Sequence, residues 1–192
     1  MKSLYLLLLT LLLCVEVSHA QTYNGNGQVS FSAGAPLDLI KGTSSEIIGS
    51  IDLKSGKLQF EIPVKSFQFP NSLMQERFND KYMESNRYAR ATFNGKLLNY
   101  TLGKTKEVTA QGVLTIHGVS KRRTIKGTLV EKGNKLILQS AFIVSTKDHH
   151  IESPKLTNAY MAESIDVRLE MHLLPTDPAV GAVTLNQKRR TK

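Results

Sequence analysis

The chain of 192 residues carries 25 Lys and Arg against 16 Asp and Glu, a formal net charge of +9, and contains a single cysteine. This length predicts one domain with room for a sizeable hydrophobic core. The cysteine is Cys14. If residues 1–20 are removed, disulfides, cysteine nucleophiles and thiolate metal sites are excluded from the mature chain.

Residues 1–20 are predicted to be a cleavable secretory signal peptide. Lys2 supplies the positive start, an apolar stretch follows over 4–15, and Ser18-His19-Ala20 has the small-x-small pattern of a cleavage site. The apolar stretch is shorter than the roughly twenty residues that span a bilayer. We therefore expect cleavage after Ala20, rather than an uncleaved membrane anchor, and a periplasmic or secreted protein.

Alternation of apolar and polar residues, the pattern of half-buried strands, recurs along the mature chain. It is strictest over 57–64 and 165–173. Looser alternation covers 27–32, 46–53, 90–98, 107–116, 123–131 and 135–146, with a shorter segment at 37–41. Turn signals at 54–56, 102–104 and 132–134 predict short antiparallel hairpin connections.

One segment departs from this pattern. Over 73–83 apolar residues recur at every fourth position, at Met74, Phe78 and Tyr82. This spacing predicts a short amphipathic helix that packs on the sheet or over its opening, with a capping box formed by Ser72 and Gln75. Residues 147–162 are predicted to be a long loop.

About eight antiparallel strands with one apolar face each need their edges paired or covered, and closure into a barrel removes the edges. An eight-stranded barrel is either filled by side chains or holds one small ligand. A β-sandwich is the competing architecture, because periodicity alone does not separate the two. We expect an all-β domain over 21–174 and a basic, disordered tail over 175–192.

The basic residues do not form a nucleic-acid-binding pattern. Four of them lie in the tail, at Lys188, Arg189, Arg190 and Lys192, and the others are dispersed along the strands. We predict no nucleic-acid partner. A solvated tail is the favoured interpretation, and transient contact with an anionic membrane surface is the alternative.

Motifs of known enzyme classes are lacking: there is no nucleophile elbow, zinc-protease helix, phosphate loop or dinucleotide-binding glycine pattern. His149-His150 with Glu152 would need further ligands to hold a metal, so a polar loop is favoured and we predict no metal, cofactor or catalytic residue. His117 follows the strand segment 113–116 and is either a polar group at a cavity rim or a hydrogen-bonded turn residue.

Many apolar residues fall on the same face of the predicted strands and helix. They form either the hydrophobic core or the lining of an elongated cavity. Strand glycines such as Gly49 and Gly112 leave room inside or permit strong curvature. With Arg77 and His117 as polar rim groups, the candidate ligand-binding residues are Phe60, Ile62, Phe67, Phe69, Met74, Arg77, Phe78, Tyr82, Phe93, Leu114, Ile116, His117 and Phe142.

Three parts of the chain resemble the YceI-like family of exported bacterial proteins, also called polyisoprenoid-binding or lipid-binding proteins. Residues 48–53 are similar to the family's early glycine-containing strand. Residues 69–74, 82–85 and 91–93 are similar to its helix and following strand. Residues 112–121, which read GVLTIHGVSK, are similar to its hairpin and are the strongest match. The resemblance covers 27–173.

The resemblance implies an extended, lipocalin-like barrel whose lumen holds a long isoprenoid or other amphiphilic chain, with the helix near the mouth. Arg122-Arg123 depart from the family pattern, which often has proline after the hairpin lysine. Arg77 stands near a position where relatives often have histidine, and would substitute for it toward an anionic head group.

These observations lead to a hypothesis with two alternatives. The leading one is an exported, non-catalytic binding protein for an isoprenoid, quinone or fatty-acid-like ligand. The first alternative is an envelope structural or protein-interaction protein with a filled barrel. The second is a lipid-modifying enzyme, which ranks last because the strand alternation places few charges inward. The oligomeric state is not predicted.

Overall fold

The alternating residues form the wall of a closed barrel. The computed structural model describes residues 22–33, 40–98, 100, 106–151 and 162–176. Each strand pairs antiparallel with the next, and β1 pairs with β8. The strands are β1 (Thr22–Ala33), β2 (Ile40–Asp52), β3 (Lys57–Pro63), β4 (Arg90–Leu97), β5 (Lys106–Ile116), β6 (Val119–Lys132), β7 (Lys135–Ser145) and β8 (Ser164–Pro175). The barrel prediction is therefore confirmed over the sandwich.

Side chains alternate between the two faces of this wall. In β3, Leu58, Phe60 and Ile62 are buried, whereas Lys57 and Gln59 are exposed. The buried residues of all eight strands join in one core that fills part of the interior. The predicted 2-residue periodicity thus sets which side chains face inward.

The two ends of the barrel differ. One end, which we call the turn end, has tight connections at 53–56 and at Gly133-Asn134, where Gly133 has a φ of 62°. The predicted turn at 102–104 lies outside the described residues. The opposite end, the helix end, carries residues 64–89, the His117-Gly118 turn and residues 147–151. His117 and Gly118 have φ values of 51° and 73°, the positive values that a two-residue hairpin turn between twisted strands requires.

The helix, α1 (Ser72–Arg77), is shorter than predicted and continues as a π-helical turn over Phe78–Tyr82. Its predicted capping box is wrong. Asn71 is the cap, and its Oδ1 accepts hydrogen bonds from the amides of Leu73 (2.8 Å) and Met74 (3.3 Å). Gln75 is unavailable for a box because its side chain donates to the carbonyl oxygen of Phe67 at 2.7 Å.

None of the helical segments in the described part of the chain has both the length and the hydropathy that a bilayer crossing demands.

In two places, neighbouring strands lose their backbone pairing toward the helix end. β2 and β3 pair only over Ile48–Ile51 and Leu58–Glu61, and residues 64–83 fill the gap that follows. β6 and β7 pair only from Gly127↔Ser140 to Lys132↔Lys135, so residues 119–126 and 141–145 face each other without a backbone ladder. We call this second gap the β6–β7 seam.

Candidate functional site

The barrel encloses a cavity of about 1240 Å³ with a predominantly apolar lining. Pockets for drug-sized ligands measure roughly 300–1,000 Å³, so this cavity is larger than a compact small molecule needs. All eight strands contribute to its lining, together with the segment between β3 and β4. The lumen is therefore not completely filled by the protein's own side chains.

The strand residues predicted to bind a ligand all line this cavity. They are Phe60, Ile62, Phe93, Leu114, Ile116 and Phe142. Paired strands bring them together: Phe60 lies directly opposite Phe93, which lies opposite Leu114. Directly opposite residues in antiparallel strands share a face, so this row continues around the inner wall.

The predicted residues of the β3–β4 connection line the cavity at the helix end. They are Phe67, Phe69, Met74, Phe78 and Tyr82. The 3.6-residue period of α1 and the π-helical turn after it place Met74 and Phe78 toward the barrel, whereas Leu73 is 51% exposed.

Four phenylalanines form an aromatic cluster at this end. The ring of Phe31 lies 5.2 Å from Phe67, 5.8 Å from Phe69 and 5.6 Å from Phe78, and Phe69 lies 4.9 Å from Phe78. These are favourable separations for tilted and stacked ring pairs. Phe31 was not among the predicted site residues, although the alternation over 27–32 already places it on the inner face.

Gly49 receives an aromatic ring. A Cβ atom at this position would lie 2.0 Å from Cδ1 of Phe60, so only glycine permits the ring to rest on the β2 backbone. The space that Gly49 leaves is therefore occupied by Phe60, which fixes one side of the cavity wall.

Two predicted rim residues do not line the cavity. Arg77 is the last residue of α1 and is exposed. His117 turns away into a polar cluster, where its Nδ1 lies 3.3 Å from the carbonyl oxygen of His149 and its Nε2 lies 3.3 Å from Oε1 of Glu84. Its ring also packs edge-on against Tyr88, 4.4 Å between centroids. The structure corrects the expectation that either residue faces a ligand at the rim: His117 is a hydrogen-bonded turn histidine.

His149 belongs to this cluster and is 1% exposed. Its Nδ1 lies 3.1 Å from the carbonyl oxygen of Val119, which requires the ring nitrogen to donate. Burial lowers the pKa of this imidazole below its usual value, and the hydrogen bond to Val119 opposes the shift only in part. His149 is thus a neutral structural donor. Glu152, which the sequence analysis grouped with His149 and His150, lies outside the described residues.

The turn end carries a second polar group. The hydroxyl of Tyr100 donates to Oε1 of Glu131 at 2.6 Å. Burial, and then this bond to a carboxylate, raise the pKa of Tyr100, and burial also raises the pKa of Tyr23. Both phenols therefore stay protonated at neutral pH and help to close this end.

The cavity has few groups suited to catalysis. The ionisable residues in its described lining are Glu61, Tyr82, Lys126 and Asp166. Glu61 forms an ion pair with Arg90 on the outer face, and the acidic and basic residues lie on outward positions of their strands. Binding to such a lining is driven mainly by the removal of apolar surface from water.

An up-and-down barrel of eight strands around an apolar cavity defines the lipocalin-like class of small β-proteins. The chain belongs to the YceI-like family, whose domain matches residues 20–173. This confirms the resemblance to the family. No curated protein matches the chain in sequence.

Solved structures share the fold at low identity. A polyisoprenoid binding domain from Saccharophagus degradans, implicated in plant cell wall breakdown, is 15% identical with a TM-score of 0.70, over 80% of this chain and 98% of the other. BcnA of Burkholderia cenocepacia is 16% identical with a TM-score of 0.66, over 76% and 95%. A YCEI protein of Campylobacter jejuni is 17% identical with a TM-score of 0.56, over 71% and 84%.

Proposed function

We propose that this protein is an exported, non-catalytic carrier that holds one long apolar or amphiphilic chain in its barrel. The chemical class is an isoprenoid, an isoprenoid quinone or a fatty-acid-like molecule. The cavity of about 1240 Å³ is the single observation that carries the proposal, because a ligand that covers an apolar lining of this size removes much apolar surface from water. The polyisoprenoid-binding relative supports the ligand class.

The mechanism is desolvation. Each buried methylene contributes roughly 0.8 kcal/mol, so a long chain binds through its length and needs few polar contacts. The aromatic cluster of Phe31, Phe67, Phe69 and Phe78 would pack against whatever part of the chain lies at the helix end. Export through the predicted signal peptide would bring the carrier to membrane-derived lipids.

The two alternatives make different demands. A structural protein with a filled barrel has no need of the cavity. An enzyme needs a nucleophile or an acid–base pair against the bound chain, and the lining residues Glu61, Lys126 and Asp166 point their charged groups away from it. A non-catalytic carrier is consistent both with the cavity and with charged groups that point away from it.

The proposal is tested by extracting lipid from the purified protein and by adding a ligand. We expect organic extraction to release an apolar chain-like molecule visible by mass spectrometry. We also expect the stripped protein to take up geranylgeraniol at one molecule per chain. Absence of extractable lipid together with no uptake of geranylgeraniol contradicts the proposal.

A further inference from the structure

The β6–β7 seam is a gap in the barrel wall that side chains close in place of a backbone ladder. Where the seam begins on the side of the turn end, the hydroxyl of Ser140 donates to the carbonyl oxygen of Lys126 at 2.7 Å. In its middle the guanidinium of Arg123 donates to the carbonyl oxygen of Ile143. At the helix end His149 reaches Val119. The wall here depends on three side-chain contacts in place of backbone pairing.

The seam opens on the cavity. Its two flanks contribute Ile125 and Gly127 from β6, and Ser140, Phe142 and Val144 from β7, to the cavity lining. The gap therefore borders the cavity, and only side-chain contacts separate the cavity from the outside at this place.

Two cations of β6 lie at the same gap on positions in register with the inner face, although neither belongs to the described lining of the cavity. Lys121 lies directly opposite Leu114, and Arg123 lies directly opposite Gly112. Leu114 is buried and lines the cavity, and opposite residues of an antiparallel pair share a face. Lys121 and Arg123 therefore occupy inward positions of the wall, most of which carry apolar residues elsewhere in the barrel.

Of these two cations, only Arg123 has an acidic partner among the described residues. Arg123 lies 3.8 Å from Asp148, the one acidic group that approaches it in the described residues. The side chain of Lys121 is half-buried and has no hydrogen bond or ion pair within the part of the chain that the structure describes. An ammonium group without a partner beside an apolar cavity favours an anion beside it.

We propose that Lys121 and Arg123 bind the anionic head group, a carboxylate or a phosphate, of the chain that the cavity holds. This inference rests on the proposed function and names its ligand class more closely: an acidic amphiphile rather than a neutral one. The guanidinium of Arg123 has the fork of donors that suits such oxygens, and Lys121 supplies a point charge. The head lies in the seam, where water solvates its outer side.

The site is tested with pairs of ligands that share the same apolar chain and differ in the head group. Geranylgeranyl phosphate is compared with geranylgeraniol, and oleate with oleamide, by titration calorimetry on the full mature chain. We expect the wild type to prefer each acidic ligand by about tenfold, and the preference to shrink as salt is raised. The two pairs also tell whether phosphate or carboxylate is the better head.

Substitutions locate the site. We expect Lys121→Gln and Arg123→Gln each to remove most of the acid preference, to weaken geranylgeraniol binding much less than binding of its phosphate, and Arg123→Lys to keep much of the preference. Arg122→Gln is the matched control, since Arg122 is exposed on the outer face and the substitution removes the same charge. Thermal unfolding checks that each variant is folded.

The outcomes separate the two proposals. Equal affinity of the wild type for geranylgeraniol and its phosphate overturns the head-group site and leaves the carrier standing. An equal loss of acid preference in Arg122→Gln also overturns the site, because it assigns the effect to net charge. Failure to bind any of the four ligands overturns both.

Discussion

The imidazole Nδ1 of His149 lies 3.1 Å from the carbonyl oxygen of Val119 and joins two segments that share no backbone ladder. His149 follows β7, whereas Val119 begins β6. The bond needs a protonated Nδ1, but burial of the ring disfavours a second proton, and this lowers the pKa of the imidazole. Acid therefore opposes the burial of this ring at the helix end, although Nδ1 donates in either protonation state.

The first prediction concerns acid. The unfolded chain takes up a proton near pH 6.5, whereas the folded chain resists it, so the free energy of unfolding falls as pH drops below about 6.5. One such proton accounts for at most about 1.4 kcal/mol per pH unit. We expect His149→Gln to flatten this slope in urea unfolding between pH 7 and 5, because an amide donates to Val119 without titrating.

His172→Gln is the matched control, since His172 is exposed and its Nε2 lies 3.0 Å from Oε1 of Glu170. The control should keep the wild-type slope. The same slope in wild type and His149→Gln would contradict a neutral buried imidazole.

The second prediction concerns the helix cap. Asn71→Ala removes the acceptor for the amides of Leu73 and Met74, and we expect a loss of about 1 kcal/mol in the free energy of unfolding. Asn71→Ser retains a cap and should lose less. Equal unfolding midpoints for the alanine and serine variants in urea would show that Asn71 does not stabilise α1.

The third prediction concerns the turn end. Tyr100→Phe leaves the carboxylate of Glu131 without its hydroxyl donor, which should lower the free energy of unfolding by about 1.5 kcal/mol at pH 7. The raised pKa of Tyr100 also means that the wild type loses stability as pH rises above the ordinary tyrosine value of about 10. Denaturant unfolding at pH 7 and above pH 10 checks both, and we expect the alkaline loss to be smaller in Tyr100→Phe. A variant as stable as wild type at pH 7 refutes the bond's contribution.

The fourth prediction concerns chain length. Because binding comes from burial of apolar carbon, affinity should rise by far more than tenfold for each added five-carbon isoprene unit along geraniol, farnesol and geranylgeraniol, since one buried methylene alone gives about fourfold. Calorimetry should also show a negative heat-capacity change, the mark of apolar burial. Equal affinities along the series would argue for recognition of the hydroxyl alone.

Much of the barrel could be predicted from the sequence, because burial of one face imposes alternation. Phe60, Ile62 and Phe142 fall on the cavity wall for this reason. Phe31 was missed although its alternation was visible, because periodicity does not tell a lining residue from a core residue. The capping box was wrong because Asn71 and Ser72 are both good caps in sequence, and only the backbone decides between them.

The β6–β7 seam could not be predicted from the sequence. Lys121 and Arg123 are cations at inward positions, and a reading by hydropathy assigns such residues to solvent. The register that turns them inward comes from pairing with β5, and the gap beside them comes from the divergence of β7. The phase of the alternation over 123–131 does place Arg123 on the inner face, but the divergence of β7 leaves no trace in the local pattern.

The most direct test of the carrier is to fill its cavity. Ala110 lines the cavity on β5, whereas Ala141 is exposed on the outer face of β7, so Ala110→Phe and Ala141→Phe add the same ring inside and outside the barrel. We expect calorimetric titration with geranylgeraniol to show at least about a tenfold loss of affinity for Ala110→Phe and wild-type affinity for Ala141→Phe. Wild-type affinity in a folded Ala110→Phe variant would contradict binding within the barrel.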